Sequence, residues 1–238
     1  ANANALKMFD AAIEADPDNA QAYAWKACTL GQAMVRGYVD KPMQEIMPEF
    51  SNLMSSALSI DPNDFECHRL QCAVNTMMGD MKAALSHGKK AYDVNPNDPR
   101  ILQQYGEVLL KTGKTEEGCD LTLLALEYDP IAQGQTNSDK RKSDGVFGCI
   151  LDDRPDVGLD IASGMIDRSE KVLIYSAALA VGSTGSLESF SWLIDDLRNA
   201  DFAQIEEAIE EMGKFDVVVQ SKLKEVFLDY ILPLKEVA

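Results

Sequence analysis

Two histidines, five cysteines and one glycine-rich tetrad are the residues of this chain whose types and spacing could do chemistry. His68 and His87 could move protons near neutral pH, because imidazole titrates there. Each falls in a segment of helical periodicity, where a polar packing or surface role is preferred over acid–base work. Cys67-His68 with Cys72 brings thiol and imidazole donors close in sequence. The spacing is not a C-x-x-C knuckle, and no second Cys/His pair completes a zinc tetrahedron. Gly182-Ser183-Thr184-Gly185 lacks the lysine and the preceding strand of a phosphate loop, so it reads as an inter-helix turn. Carboxylates are abundant, as solvated helix faces require. No residue is a candidate for catalysis or metal binding, and no cofactor is implied.

Composition narrows the classes further. The chain has 238 residues, 46% hydrophobic and 26% charged, enough for a soluble folded protein. No run approaches the ~18 consecutive apolar residues of a membrane span. The first residues show no basic segment followed by an apolar one, so no secretory signal is read there. Cys28, Cys67, Cys72, Cys119 and Cys149 form an odd set without paired spacing, as reduced thiols of a cytoplasmic protein would. A net charge of −17 argues against direct nucleic-acid or anionic-membrane binding, both of which need basic surface.

The elements that position the remaining polar residues are set by three prolines. Pro62, Pro96 and Pro130 are spaced 34 residues apart. Each closes an in-phase segment: Ala57-Leu58-Ser59-Ile60-Asp61-Pro62, Ala91-Tyr92-Asp93-Val94-Asn95-Pro96 and Ala125-Leu126-Glu127-Tyr128-Asp129-Pro130. A fourth copy, Ala12-Ile13-Glu14-Ala15-Asp16-Pro17, lies 45 residues before Pro62, so one unit carries an 11-residue insertion. A fixed period of this length means stacked helical hairpins. Small residues where helices cross let the axes approach to about 8–10 Å. Proline just past a helix end cannot continue the helix and fixes the turn into the next unit. A single hairpin leaves an apolar face exposed, so stability comes from stacking on neighbours.

These motifs resemble the tetratricopeptide repeat family. Gly79-Asp80 and Gly113-Lys114 sit at its inter-helix turn, and Ala84, Ala91, Gly118 and Ala125 at its small positions. Tyr105-Gly106 matches its paired large and small residues, and Pro96 and Pro130 its terminal proline. Ala5, Phe9, Ala12 and Pro17 match a second helix whose first helix is missing, which suggests an excised piece. His68, Gln71 and Asn75 depart from the pattern by standing where large apolar groups are usual, and Gly88 by standing where an aromatic is usual. The resemblance covers residues 1–130. It implies an all-α fold: a right-handed superhelical array of antiparallel helical hairpins, its turns near Gly79, Gly113 and Gly182, with a helical C-terminal cap.

In this family the first helix of each hairpin lines a concave groove. Carried onto this chain, the groove positions give Gln21, Trp25 and Gln32, then Glu66, Arg69, Leu70 and Met77, then Arg100, Gln103, Gln104, Glu107 and Lys111. Trp25, Arg69, Arg100, Gln103, Gln104 and Lys111 are the expected partner-binding residues. The three cations suit a carboxylate or acidic peptide, which arginine can bind in bidentate fashion. The other reading is solvated charge, or local ion pairs with Glu66 and Glu107. Members that clamp the C-terminal carboxylate of heat-shock chaperones use lysine at the fifth and asparagine at the ninth position. Here those places hold Ala24, Arg69 and Gln103, and Cys28, Ala73 and Glu107, so that clamp is missing.

Past Pro130 the period blurs. Residues 131–144 read as a polar loop and helix start with the basic run Lys140-Arg141-Lys142. Val146 to Leu151 and Val157 to Ile166 read as a helix pair, as do Leu173 to Val181 and Leu187 to Leu197, with Ser186 as N-cap and Glu188 in the first turn. Phe202, Ile205, Ala208, Ile209 and Met212 share one helical face, and Val218, Leu223, Val226, Phe227, Tyr230 and Ile231 another. The expected organisation is repeats over 1–130, degenerate hairpins over 131–199 and capping helices over 200–238. The insertion Val35 to Pro42 reads as a longer helical hairpin in preference to a ligand-contacting loop.

Two function classes stay open. One is a non-catalytic module whose groove takes a protein or peptide, similar to the C-terminal repeat regions of bacterial transcription regulators and adenylate cyclases. The other is the substrate-recruiting arm of an enzyme such as a glycosyltransferase.

Overall fold

In the computed structural model, which describes residues 2–35, 37, 38, 42–131 and 138–236, the described residues form helices and turns without a strand. The chain divides into two compact units, Ala1–Asn97 and Asp98–Ala238. Unit 1 holds α1 (Asn2–Ala15), α2 (Ala20–Val35), α3 (Met43–Ile60), α4 (Phe65–Met78) and α5 (Met81–Val94). Unit 2 holds α6 (Pro99–Lys111), α7 (Thr115–Tyr128), α8 (Asp139–Leu151), α9 (Pro155–Ser163), α10 (Glu170–Thr184), α11 (Ser191–Asn199), α12 (Phe202–Met212), α13 (Val217–Val226) and, after a π turn at Phe227–Ile231, α14 (Leu232–Glu236).

The 34-residue phase is visible as a repeated backbone bond. The amides of Asp16, Asp61, Asn95 and Asp129 donate to the carbonyls of Ala12, Ala57, Ala91 and Ala125, each the small residue four positions earlier. The following proline ends the helix, and the chain turns into the next unit. Aspartates then restart it: Asp64, Asp80 and Asp98 accept from the amides of Cys67, Ala83 and Arg100, satisfying donors that a helix N-terminus leaves orphaned.

Within each hairpin the small residues do what their size permits. Ala57, Ala84, Ala91 and Ala125 are buried. In unit 2, α6 crosses α7 backbone to backbone at two glycines: a β-carbon on Gly118 would stand 2.8 Å from the Gly106 carbonyl oxygen and 2.8 Å from the Leu110 amide nitrogen. Turns occur at Gly79 and Gly113 as expected, with φ of 80° and 82°.

The insertion coincides with long helices. α2 and α3 have 16 and 18 residues, against 14 each for α4 and α5, which accords with a longer hairpin. Arg36, Val39, Asp40 and Lys41 lie outside the described residues, as do residues 132–137.

Unit 2 departs from the sequence reading at three places. Gly182 is not a turn: it lies inside α10, where Lys222 of α13 crosses 3.0 Å from the place a β-carbon would take, and the turn falls at Gly185, with φ 73°. Ser186 does not cap a helix, because α11 starts only at Ser191. Its hydroxyl instead accepts from the amide of Glu188 in the intervening turn, so Glu188 lies outside any helical first turn. Val218 does not join the buried face of α13. Asp216 caps the amides of Val218 and Val219, which rotates Val218 outward to 76% exposure while Val219 packs on the core. The basic run is helical, and Arg141 in its middle is buried.

The core of unit 2 centres on α10, in which Val172 to Ala180 are all buried. A helix apolar on every side must be surrounded. α8, α9, α12 and α13 all pack against it, and Phe202, Ile205, Ala208, Ile209 and Met212 of α12 complete the cluster. The core of unit 1 is built from Ala24, Ala27 and Cys28 of α2, Ile46, Phe50, Met54 and Ala57 of α3, and Cys67 and Leu70 of α4.

Candidate partner-binding surfaces

The six sequence-selected residues fall on two units. Trp25 and Arg69 lie in unit 1, and Arg100, Gln103, Gln104 and Lys111 all lie on α6 of unit 2.

In unit 1, α2 and α4 are adjacent first helices, and their polar residues interlock. Trp25 donates through Nε1 to Gln21 at 3.0 Å, and Gln21 in turn donates to Asp64. Arg69 grips Glu66 with two bonds, Nε at 3.1 Å and Nη2 at 2.5 Å, and its Nη2 lies 3.5 Å from Cys28 Sγ of α2. Glu66 is fully buried. A carboxylate out of water needs a partner, so Arg69 is tied down within α4 while touching Cys28 of α2.

In unit 2, α6 is divided lengthwise. Ile101, Leu102, Tyr105, Val108, Leu109 and Leu110 are buried, whereas Arg100, Gln103, Gln104, Glu107 and Lys111 are partly exposed along the other side. Arg100 is paired with Asp98 at 2.6 Å and Lys111 with Glu107 at 2.5 Å. Gln103 bridges two groups of α8, donating to Asp144 and accepting from Arg141. Burial raises the Asp144 carboxyl above its ordinary range, and Glu107 adds to the effect. Each of the three cations thus has an acid beside it, as the ion-pair reading holds for Glu66 and Glu107.

Sequence reasoning missed Arg141, Asp144 and Phe147 of α8. Arg141 also binds the Pro99 carbonyl at 3.0 Å and Asp129 at 2.9 Å, tying the start of α6 to the end of α7. The signal was the spacing 141, 144, 147, a helical face disguised by its charged beginning. Among the described residues no group of three or more His, Cys, Asp or Glu side chains is placed to hold a metal ion, and no helix is long and apolar enough to cross a membrane.

No family model matches the sequence, and no curated protein matches it either. The fold has relatives among solved structures. YrrB, a TPR protein with an unusual peptide-binding site, aligns over 91% of this chain and 97% of its own, with a TM-score of 0.58 and 14% identity. The chain has the tetratricopeptide repeat fold. PilF of Pseudomonas aeruginosa shares that fold over 92% of this chain and 87% of its own, with a TM-score of 0.56 and 16% identity. A chain of the APC/C hetero-tetramer Cut9–Hcn1 gives a TM-score of 0.56 and 12% identity over 94% of this chain, which spans 39% of that chain's length. These neighbours lend no support to the finer likeness to transcription regulators and adenylate cyclases.

Proposed function

We propose that this chain is a non-catalytic protein- or peptide-binding module, the cytoplasmic interaction region of a larger bacterial signalling or regulatory protein. The observation that carries this is the lengthwise division of α6. A rigid apolar side locks the helix into its hairpin, and a continuous row of polar side chains stands on the other, presenting hydrogen-bond donors and acceptors without a change of backbone. Such preorganised rows suit extended or helical peptides, because little ordering cost is left to meet on association. YrrB, which shares the fold, carries a peptide-binding site, and the buried free thiols agree with a reducing compartment. Gln103, Gln104 and Lys111 form the centre of the proposed row, with Arg100 at its edge. Trp25 and Arg69 form the corresponding row of unit 1.

The test is to pan a displayed random-peptide library on the full chain and titrate recovered peptides against wild type and a Gln104→Ala, Lys111→Gln double variant. The reading predicts saturable binding that weakens by about tenfold or more in the variant, the loss of one or two charge-assisted bonds. Peptides that bind wild type and variant alike would remove α6 from the site.

A further inference from the structure

In unit 2, α6, α8 and α10 are touched by residues that lie between the body of α12 and the start of α13. The turn between α12 and α13 carries Phe215 onto α6 and α8. Its ring stands edge-on to Phe147 of α8, centroids 6.2 Å apart and planes at 78°. Lys111 Nζ of α6 lies 5.3 Å from the centroid of the same ring. Phe147 in turn contacts Tyr175 of α10, with centroids 6.2 Å apart. One helical turn before Phe215, Glu211 pairs with Lys171 of α10. Lys171, Lys214 and Lys111 all favour its ionised form and hold its carboxyl below the ordinary range. A carboxylate and an aromatic ring, four residues apart, therefore sit against α6, α8 and α10 together.

A purely structural cap needs only the apolar face of α12, which Phe202, Ile205, Ala208, Ile209 and Met212 already supply. Phe215 lies outside that face. It is partly exposed, and Val217 and Val218 immediately after it are 66% and 76% exposed. Swinging Phe215 away and rotating the half-exposed Glu211 side chain off Lys171 leaves the buried face of α12 in the core.

We propose that the last turn of α12 with the α12–α13 turn is a tethered competitor, occupying through Glu211 and Phe215 a site on α6, α8 and α10 that receives a partner peptide with an acidic residue and an aromatic residue about one helical turn apart. This rests on the peptide-binding function proposed above and specifies the peptide. Lys171 and Lys111 receive its carboxylate, and Phe147 with the Lys111 ammonium receives its ring, since a cation over a ring face and an edge-on ring pair are both favourable contacts.

The probe is a labelled synthetic peptide carrying residues 208–218 of this chain, titrated by fluorescence anisotropy into the full-length protein. A tethered segment competes at an effective concentration near millimolar, so Phe215→Ala should bind the peptide about tenfold or more tighter than wild type does. Phe215→Leu, which keeps apolar filling at the turn, should fall between them and guards against a folding defect in the alanine variant. Adding Lys111→Gln to Phe215→Ala, or replacing either the glutamate or the phenylalanine of the peptide by alanine, should remove most of the gain. Equal affinity for wild type and both Phe215 variants, or no binding to any of them in proteins with wild-type helical content, would overturn the proposal. If library-selected peptides still bind in an α6-dependent way, only the tethered competitor falls and the general function stands.

Discussion

His68 and His87 meet across the α4–α5 hairpin with their Nδ1 atoms 3.0 Å apart. His68 Nε2 lies 3.0 Å from the Pro62 carbonyl oxygen, to which it can only donate. Its Nδ1 therefore accepts, and His87 Nδ1 donates to it, which fixes one tautomer for each ring. His68 is the member of the pair that departs from the family pattern of large apolar groups, and its two ring nitrogens are satisfied by His87 and the Pro62 carbonyl inside the packing. Burial is the main reason both imidazoles titrate below their ordinary 6.5, and Lys90 lowers each further, while Asp61 and Asp64 oppose it at His68.

That arrangement makes the hairpin sensitive to acid. Both folded-state pKa values lie below the unfolded value, so the unfolded chain binds more protons as the pH falls through 6.5 and the pair's contribution to stability is lost toward lower pH. His87→Gln keeps a donor facing His68 and removes one titrating group. Its melting temperature should fall less than that of wild type between about pH 7.5 and pH 5. Parallel losses in the two proteins would show that the pair does not report the pH dependence.

Ala91 is 1% exposed where α5 packs on its neighbours, and its carbonyl accepts from the Asn95 amide. Ala91→Leu adds volume at a buried helix-packing position and should destabilise the protein by about 1–3 kcal/mol. Thermal or urea unfolding measures this directly, and an unchanged midpoint would contradict the packing described for unit 1.

The Arg69–Glu66 pair should prove structural before it proves functional. Arg69→Met removes the guanidinium that bonds the fully buried Glu66 carboxylate, and losing one partner of a buried pair costs about 3–5 kcal/mol. Adding Glu66→Gln should recover much of that loss. If Arg69→Met alone were neutral, the Arg69–Glu66 bonds would contribute nothing to the stability of α4, contrary to the structural role given to them.

The 34-residue phase made the first half of the architecture readable because each signal was local. Asp-Pro ends, capping aspartates, turn glycines and crossing alanines all act within a few residues of themselves. Unit 2 was less readable because its helices are set by neighbours distant in sequence. Gly182 resembles a turn in sequence, yet Lys222 of α13 explains its small size within α10. Arg141 looks like a solvated charge until Pro99, Gln103 and Asp129 are placed around it. Among the candidate site residues, helical spacing put Gln103, Gln104 and Lys111 on one side of α6. It could not disclose that Phe215, more than a hundred positions from Lys111, lies against that same side.

The most direct test of the binding function is hydrogen–deuterium exchange of the full chain with and without a saturating library-selected peptide. Protection should rise at α6 and α8, the helices that carry Lys111 and Phe147, while the amides of the α12–α13 turn become faster to exchange as Phe215 is displaced. Protection confined to α7 and α9, with α6 and the turn unchanged, would place the partner on the second helices and contradict the proposed site.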